Sequence, residues 1–326
     1  MDFGALNPDF KPQFDYVTIP SGRFRVARLG DGPMVMLLHG FPESWYSWRH
    51  LMQALSDAGY CALAPDIRGY GESYNPAAAQ AYSIEELTND IAALIDHYGS
   101  PVTVIGHDHG APIAWATALR FPQRLRGVAG LSIPYMPPGA RPVIEDFRAF
   151  FTARGRFFYQ VYFQDEGVAE AEFNNDIEAG LVKFYYALSG EAPDGTWPTD
   201  KQHGDTLGHR LPQTRPSWLS AGELAYYVSQ FKISGFHGPL NRYRNHARDF
   251  AFLTGLPERI IHIPSLFIGG SRDLALKMFQ GDAVEAMKPY LTDLRGAYLI
   301  EGCGHWTQQE EPERVAEYVL NWLANL

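Results

Sequence analysis

Cysteine is scarce in this chain. Only Cys61 and Cys303 occur among 326 residues, far apart in sequence. That scarcity excludes a disulfide framework and a cysteine-based zinc site, and it predicts two free thiols in a reducing, cytoplasmic compartment. Long apolar runs are also missing, for no stretch approaches the roughly 18 residues that a membrane-spanning helix needs. The opening MDFGALNPDF has no basic region leading into an apolar one, so no targeting segment is expected there. Positive charge is in deficit: 27 Lys and Arg against 37 Asp and Glu leave a net charge of −10. Such a field repels phosphate backbones and anionic lipid, so neither nucleic acid nor a membrane is an expected partner. Internal repeats and low-complexity tracts are absent. What is present is globular usage, 46% hydrophobic and 20% charged, enough for one large or two modest domains.

The first third alternates β-rich runs with helical periodicity, which predicts an α/β fold with a mostly parallel central sheet flanked by helices. FDYVTIP and RFRVARL read as an opening hairpin. Met34 to Leu38, Tyr60 to Ala64 and Val102 to Gly106 are short, apolar and followed by Gly, Pro or Asp, as doubly buried strands should be. Ser83 and Glu86 form the pattern of a capping box, and Ile84, Leu87, Ile91, Leu94 and Ile95 then recur at helical spacing up to Gly99. After Ile133-Pro134 the alternation stops, and residues 134–250 read as helices and loops. That block holds 21 of the chain's 45 aromatic residues in 117 positions, about 18% against about 11% elsewhere. Strand-like runs resume at Pro264 to Gly269 and Ala297 to Ile300, so the block reads as an insertion over a sheet edge. The expected division is a core of 1–133 and 251–326 with a mainly helical cap at 134–250. A closing helix begins just after Pro312, with Val315, Val319, Trp322, Leu323 and Leu326 on one side.

Three segments carry the chemistry. Val102-Thr103-Val104-Ile105 runs into Gly106-His107-Asp108-His109-Gly110 and then a helical stretch, the strand-turn-helix context of a nucleophile elbow with Asp in place of Ser. The turn lifts Asp108 above the sheet's carboxyl edge. The bland alternative is an Asp capping the following helix. His39-Gly40-Phe41-Pro42 follows the strand MVMLL, where a loop can give one backbone N–H to an oxyanion hole. Phe41 and His109 are the expected donors, and an ordinary turn is the alternative. Gly302-Cys303-Gly304-His305-Trp306 lies on the last loop before the C-terminal helix. His305 can complete a nucleophile, acid, histidine order with Asp273, which follows the strand PSLFIG. A surface turn pairing Asp273 with Arg272 is the alternative for the acid, and Cys303 acting with His305 is a rival nucleophile.

Together these segments resemble the epoxide hydrolases of the α/β-hydrolase fold. His39-Gly40-Phe41-Pro42-Glu43-Ser44-Trp45, Asp66-Ile67-Arg68-Gly69-Tyr70-Gly71, Gly106-His107-Asp108 and Gly302-Cys303-Gly304-His305-Trp306 appear in that family's order and spacing. The inserted block adds Phe158-Tyr159-Gln160-Val161-Tyr162-Phe163-Gln164 and the run from Ser234 to Arg244, which resemble the family's cap. The resemblance implies that Tyr159 and Tyr243 donate hydrogen bonds to an epoxide oxygen, and that His39, Pro42, Gln160 and Trp306 contact substrate. It implies that an epoxide and water are the reactants, that no metal or organic cofactor is needed, and that the chain works as a monomer or homodimer. One position departs from the pattern, since the residue after the nucleophile is commonly Trp and is His109 here. Its backbone donor is unaffected, while the pocket wall becomes smaller and more polar. A haloalkane dehalogenase would share the Asp nucleophile and the His–acid pair but place Trp and Asn where His109 and Phe41 stand. An Asp-dependent esterase and a catalytically silent receptor on the same fold are the remaining alternatives.

Overall fold

The computed structural model describes residues 10–279 and 281–326; the amino-terminal segment discussed above lies largely outside them. Eight strands form one sheet in the order β1-β2-β4-β3-β5-β6-β7-β8. β1 (Gln13–Ile19) and β2 (Gly22–Leu29) make the expected antiparallel hairpin, and β2 runs antiparallel to β4 (Cys61–Pro65). From β4 onward, β3 (Met34–Leu38), β5 (Val102–His107), β6 (Leu125–Leu131), β7 (Ser265–Gly270) and β8 (Leu294–Ile300) are parallel. The central strands are buried along their length because helices cover both faces, which is why they are continuous apolar runs without alternation.

β6 is absent from the strand pattern read above. Its sequence LRGVAGL is weak in strand propensity because it carries two glycines. They answer to packing: a Cβ on Gly130 would stand 2.4 Å from the Trp115 ring. An indole laid against the sheet therefore replaces the side chain that would have announced the strand.

Among the core helices are α1 (Arg49–Asp57), α2 (Ile84–Tyr98) and α3 (Gly110–Arg120). Ser83 caps α2 by accepting from the Glu86 N–H, but the reciprocal half of the capping box does not form. Ser83 N–H donates to Gln80 O, and the Glu86 carboxylate instead approaches Arg68. Between Leu131 and Ser265 the chain contributes no strand to the sheet. There it forms α4 (Val143–Phe150), α5 (Tyr159–Tyr162), α6 (Val168–Asn175), α7 (Ile177–Leu188), α8 (Ala221–Ser234), α9 (His237–Asn241) and α10 (His246–Thr254). α10 runs across the boundary expected at residue 250.

The chain closes with α11 (Leu274–Lys277), α12 (Ala283–Met287), α13 (Thr307–Glu310) and α14 (Pro312–Leu323). Pro312 is the first residue of α14 rather than the one before it, where its missing N–H costs no helical hydrogen bond. Val315, Val319, Trp322 and Leu323 are buried, but Leu326 lies past the helix end and is exposed. No described helix is long and apolar enough to cross a membrane.

Candidate active site

Sheet register brings the three chemical segments together. Leu38 pairs with Gly106 and His107 with Leu131, so the loop after β3 lies beside the turn after β5. Asp108 sits in that turn at φ 48°, in the left-handed region that a residue with a Cβ rarely enters. The turn is this tight only because both flanking residues are glycine. A Cβ on Gly106 would stand 2.0 Å from Gly110 O, and one on Gly110 would stand 1.9 Å from Leu38 O.

Asp108 Oδ1 accepts the Phe41 N–H at 2.8 Å. Among the described residues the His109 N–H, the second expected donor, makes no hydrogen bond to that carboxylate. Asp108 Oδ2 lies 3.4 Å from His305 Nε2. On the other side of the imidazole, Nδ1 lies 3.0 and 3.1 Å from the two oxygens of Asp273, which is fully buried after β7 and caps α11 through the Ala275 N–H. Asp273 and Arg272 therefore do not form the surface turn considered above.

This geometry fixes the charges. Burial alone would raise the Asp108 pKa, but His109, His305 and His107 outweigh it and hold the carboxyl well below the usual range. Burial likewise opposes a charge on His305, yet the Asp273 and Asp108 carboxylates on either side push its pKa well above 6.5. Asp108, His305 and Asp273 thus form a row in which the flanking carboxyl groups favour a protonated imidazole. Cys303 is an inert alternative, because burial raises its thiol pKa and Glu310 and Glu311 add to the effect.

Beneath the row, hydrogen-bonding capacity is filled. His107 Nδ1 lies 2.8 Å from the Glu43 carboxyl and its Nε2 lies 2.8 Å from His305 O, so both ring nitrogens are engaged. Ser132 Oγ donates to His305 O. Glu43 is fully buried and accepts from the Gly40 N–H, Gln308 Nε2 and Gln309 Nε2 as well. Glu310 accepts from the N–H groups of Gly190, Gly304 and Trp306 at 2.7, 3.0 and 2.9 Å. His305 N–H donates to Leu188 O, at the end of α7. Sequence reasoning assigned no role to His107, Ser132 or Glu310, and it quoted Glu43 only as part of a motif. A signal for the two glutamates existed: each lies within six residues of a glycine-rich turn whose backbone donors need acceptors.

From the inserted block, Tyr159 opens α5 and Tyr243 lies in the short turn between α9 and α10, with ring centroids 6.1 Å apart. Tyr159 Oη accepts from Gln160 Nε2 at 2.9 Å, which leaves its proton free to donate elsewhere. Gln160 thus holds the Tyr159 phenol. Both phenols have raised pKa values, mainly through burial and further through the Asp108 charge. Tyr243 packs its ring 4.3 Å from that of His109 and 5.5 Å from that of Phe41.

Three expected substrate contacts have other occupations. His39 is fully buried, with Nδ1 on Gly40 O and Nε2 accepting the Ile67 N–H, so its ring staples two loops. Pro42 O accepts the Tyr185 hydroxyl at 2.6 Å. Trp306 is fully buried, donates to Tyr185 O and stacks edge-on behind His305. Aromatic rings instead line the ground in front of Asp108: Phe41 contacts Phe163, Phe184 and Tyr243.

Residues 33–312 match the alpha/beta hydrolase fold family. The chain is 39% identical to epoxide hydrolase A of Mycobacterium tuberculosis (strain ATCC 25618 / H37Rv), over 93% of this chain and 95% of that protein. An epoxide hydrolase from an endophytic Streptomyces superposes with a TM-score of 0.91 at 40% identity, covering 96% of this chain and 95% of that one. Epoxide hydrolase A from Mycobacterium thermoresistibile gives 0.89 at 38% identity, covering 96% and 98%.

Proposed function

The chain belongs to the epoxide hydrolases of the α/β-hydrolase fold, and we propose that it converts apolar epoxides to vicinal diols through a covalent ester on Asp108. The reading rests on one arrangement: a carboxylate held ionised on a strained turn, with a buried His305–Asp273 pair on one side and two phenols that burial and its charge keep protonated. A carboxylate attacking a saturated carbon needs no base to activate it, unlike a serine hydroxyl. Asp108 forms a bond to one epoxide carbon while the C–O bond breaks, and Tyr159 or Tyr243 delivers a proton to the departing oxygen.

Esterification removes the Asp108 charge, one of the two that hold the His305 proton. The imidazolium then gives its proton to the phenolate, which restores the tyrosine and leaves His305 a base. Next, His305 takes a proton from water, whose hydroxide adds to the Asp108 acyl carbon. The oxyanion formed there falls on the position already bonded by the Phe41 N–H. Collapse expels the diol oxygen, which takes the acid proton of Asp108 and regenerates the resting row. Every proton and electron pair comes from the chain, the epoxide or water. In this reading residues 134–250 act as the cap that supplies the phenols and excludes water, and the enzyme works in the cytoplasm.

His305→Gln tests the scheme. Ring opening is expected to continue while ester hydrolysis stalls, so intact-protein mass spectrometry after incubation with styrene oxide shows a gain equal to one substrate. Normal diol release without an adduct overturns the covalent route. Halide release from a chloroalkane that survives Tyr159→Phe with Tyr243→Phe favours a dehalogenase instead.

A further inference from the structure

The helical run that follows Tyr243 carries polar atoms the proposed chemistry leaves unused. Arg242 and His246 are four residues apart where the turn Arg242–Asn245 leads into α10, so their side chains share a face beside Tyr243. From the core, His109 packs its ring against Tyr243, and Tyr70 packs its ring 4.6 Å from that of His39. Within this group Arg242 Nε, His246 Nε2, His109 Nδ1 and Tyr70 Oη are buried without hydrogen-bond partners. Native interiors leave few such atoms, and here those of His109, Arg242 and His246 lie on residues around Tyr243: one ring packed against it and two on the turn and helix that carry it. The Arg242 charge acts on His109, His246 and Tyr70 alike, and the Asp108 charge acts on His109 and Tyr70.

We propose that His109, His246 and Arg242 form a hydroxyl-binding subsite beside the nucleophile, so that the enzyme prefers epoxides bearing an alcohol on the carbon next to the ring. The inference rests on the epoxide-opening reading above and narrows its substrate class. Charge decides which group fits. Arg242 is already paired with Asp249, whose other oxygen accepts the Ile84 N–H. Burial keeps both imidazoles neutral near pH 7, with pKa values lowered to about 4 for His109 and about 3 for His246. A neutral imidazole nitrogen donates or accepts according to its tautomer, and a hydroxyl answers either. A carboxylate substituent meets an Arg242 already paired with Asp249 and is repelled by Asp108. The aromatic rings around Phe41 receive the remaining hydrocarbon.

The test compares diol formation from trans-2,3-epoxyhexan-1-ol, its methyl-for-hydroxyl analogue trans-3,4-epoxyheptane, and trans-2,3-epoxyhexanoate. A site built to hydrogen-bond a hydroxyl discriminates against the analogue lacking it, so the wild-type kcat/KM is expected to favour the alcohol at least about tenfold. His246→Leu and His109→Phe each bring that ratio toward one, and His246→Gln retains most of it. A wild-type ratio near one overturns the subsite even if neither variant folds, and so does a preference that survives both substitutions. Faster turnover of the carboxylate overturns the hydroxyl assignment in favour of an anion site at Arg242. Absence of diol from all three, with no adduct on Asp108, overturns the epoxide-opening reading itself.

Discussion

The ground beneath Asp108 and the ground beside it are built on opposite principles. Below, His107, Glu43, Ser132, Gln308 and Glu310 fill one another's hydrogen bonds and those of the nearby backbone. Beside it, around Arg242 and His246, buried nitrogens have no partners. A saturated network holds reacting groups at fixed distances, whereas an unsaturated one keeps capacity for a ligand. On the proposed chemistry, the contrast separates the residues that position the Asp108–His305–Asp273 row from those proposed to select what is attacked.

Breaking the row itself has the largest effect. Asp108→Asn removes the nucleophile, and diol formation is expected to fall roughly ten-thousandfold or more with no covalent adduct, as read by product assay and mass spectrometry. Removing the phenols comes next. One oxyanion donor is typically worth roughly 10²–10³ in rate, so single Tyr159→Phe and Tyr243→Phe variants are expected to slow alkylation by about that factor, and the pair together by more, in single-turnover measurements.

The saturated side breaks differently. Glu43→Leu leaves the buried His107 without its carboxylate and is expected to cost about 3–5 kcal/mol in urea unfolding. Glu310→Ala strands three backbone donors. A loss of about 1–3 kcal/mol is expected, with hydrolysis of the Asp108 ester slowed more than its formation. A Glu310→Ala protein with wild-type stability would show that the network is dispensable.

Acidity separates the same two regions. Alkylation needs Asp108 charged and the phenols protonated; the first pKa is depressed and the others raised, so its rate is expected to be flat from about pH 5 to 9. Ester hydrolysis needs His305 neutral, and its pKa is raised by Asp273 even after Asp108 is esterified, so that step accelerates as pH rises. Rapid-quench kinetics at several pH values resolves the two.

An effect confined to acid lies on the unsaturated side. His246 titrates near 3 when folded and about 6.5 when unfolded, so the unfolded chain takes up its proton first and stability falls as pH drops through that window. His246→Leu is expected to flatten that fall, seen as a smaller change in thermal midpoint between pH 7 and 4.

Much of this was legible beforehand, for physical reasons that differ by segment. The central strands and the Asp108 turn announce themselves because doubly buried strands are plain apolar runs and a sharp turn demands glycines at set positions. β6 escaped because Trp115 fills the space its side chains would occupy. His39 misled because a histidine at the mouth of a site reads as functional, whereas both of its nitrogens are consumed by backbone. Glu310 was only partly legible: the glycine-rich turn six residues before it was a signal, but one of its three backbone donors, Gly190, comes from a segment more than 100 residues away. The subsite residues escaped for the converse reason: only coordinates reveal what a side chain does not bind.

The Glu310 staple also limits how the enclosure can open. It fastens the loop bearing His305 to Gly190, just past the end of α7, while the His305 N–H is tied to Leu188. Hoisting α7 away as a rigid shutter would drag the general base along and dismantle the machinery it guards. Any opening that keeps His305 in place therefore leaves this joint closed and moves other parts of residues 134–250.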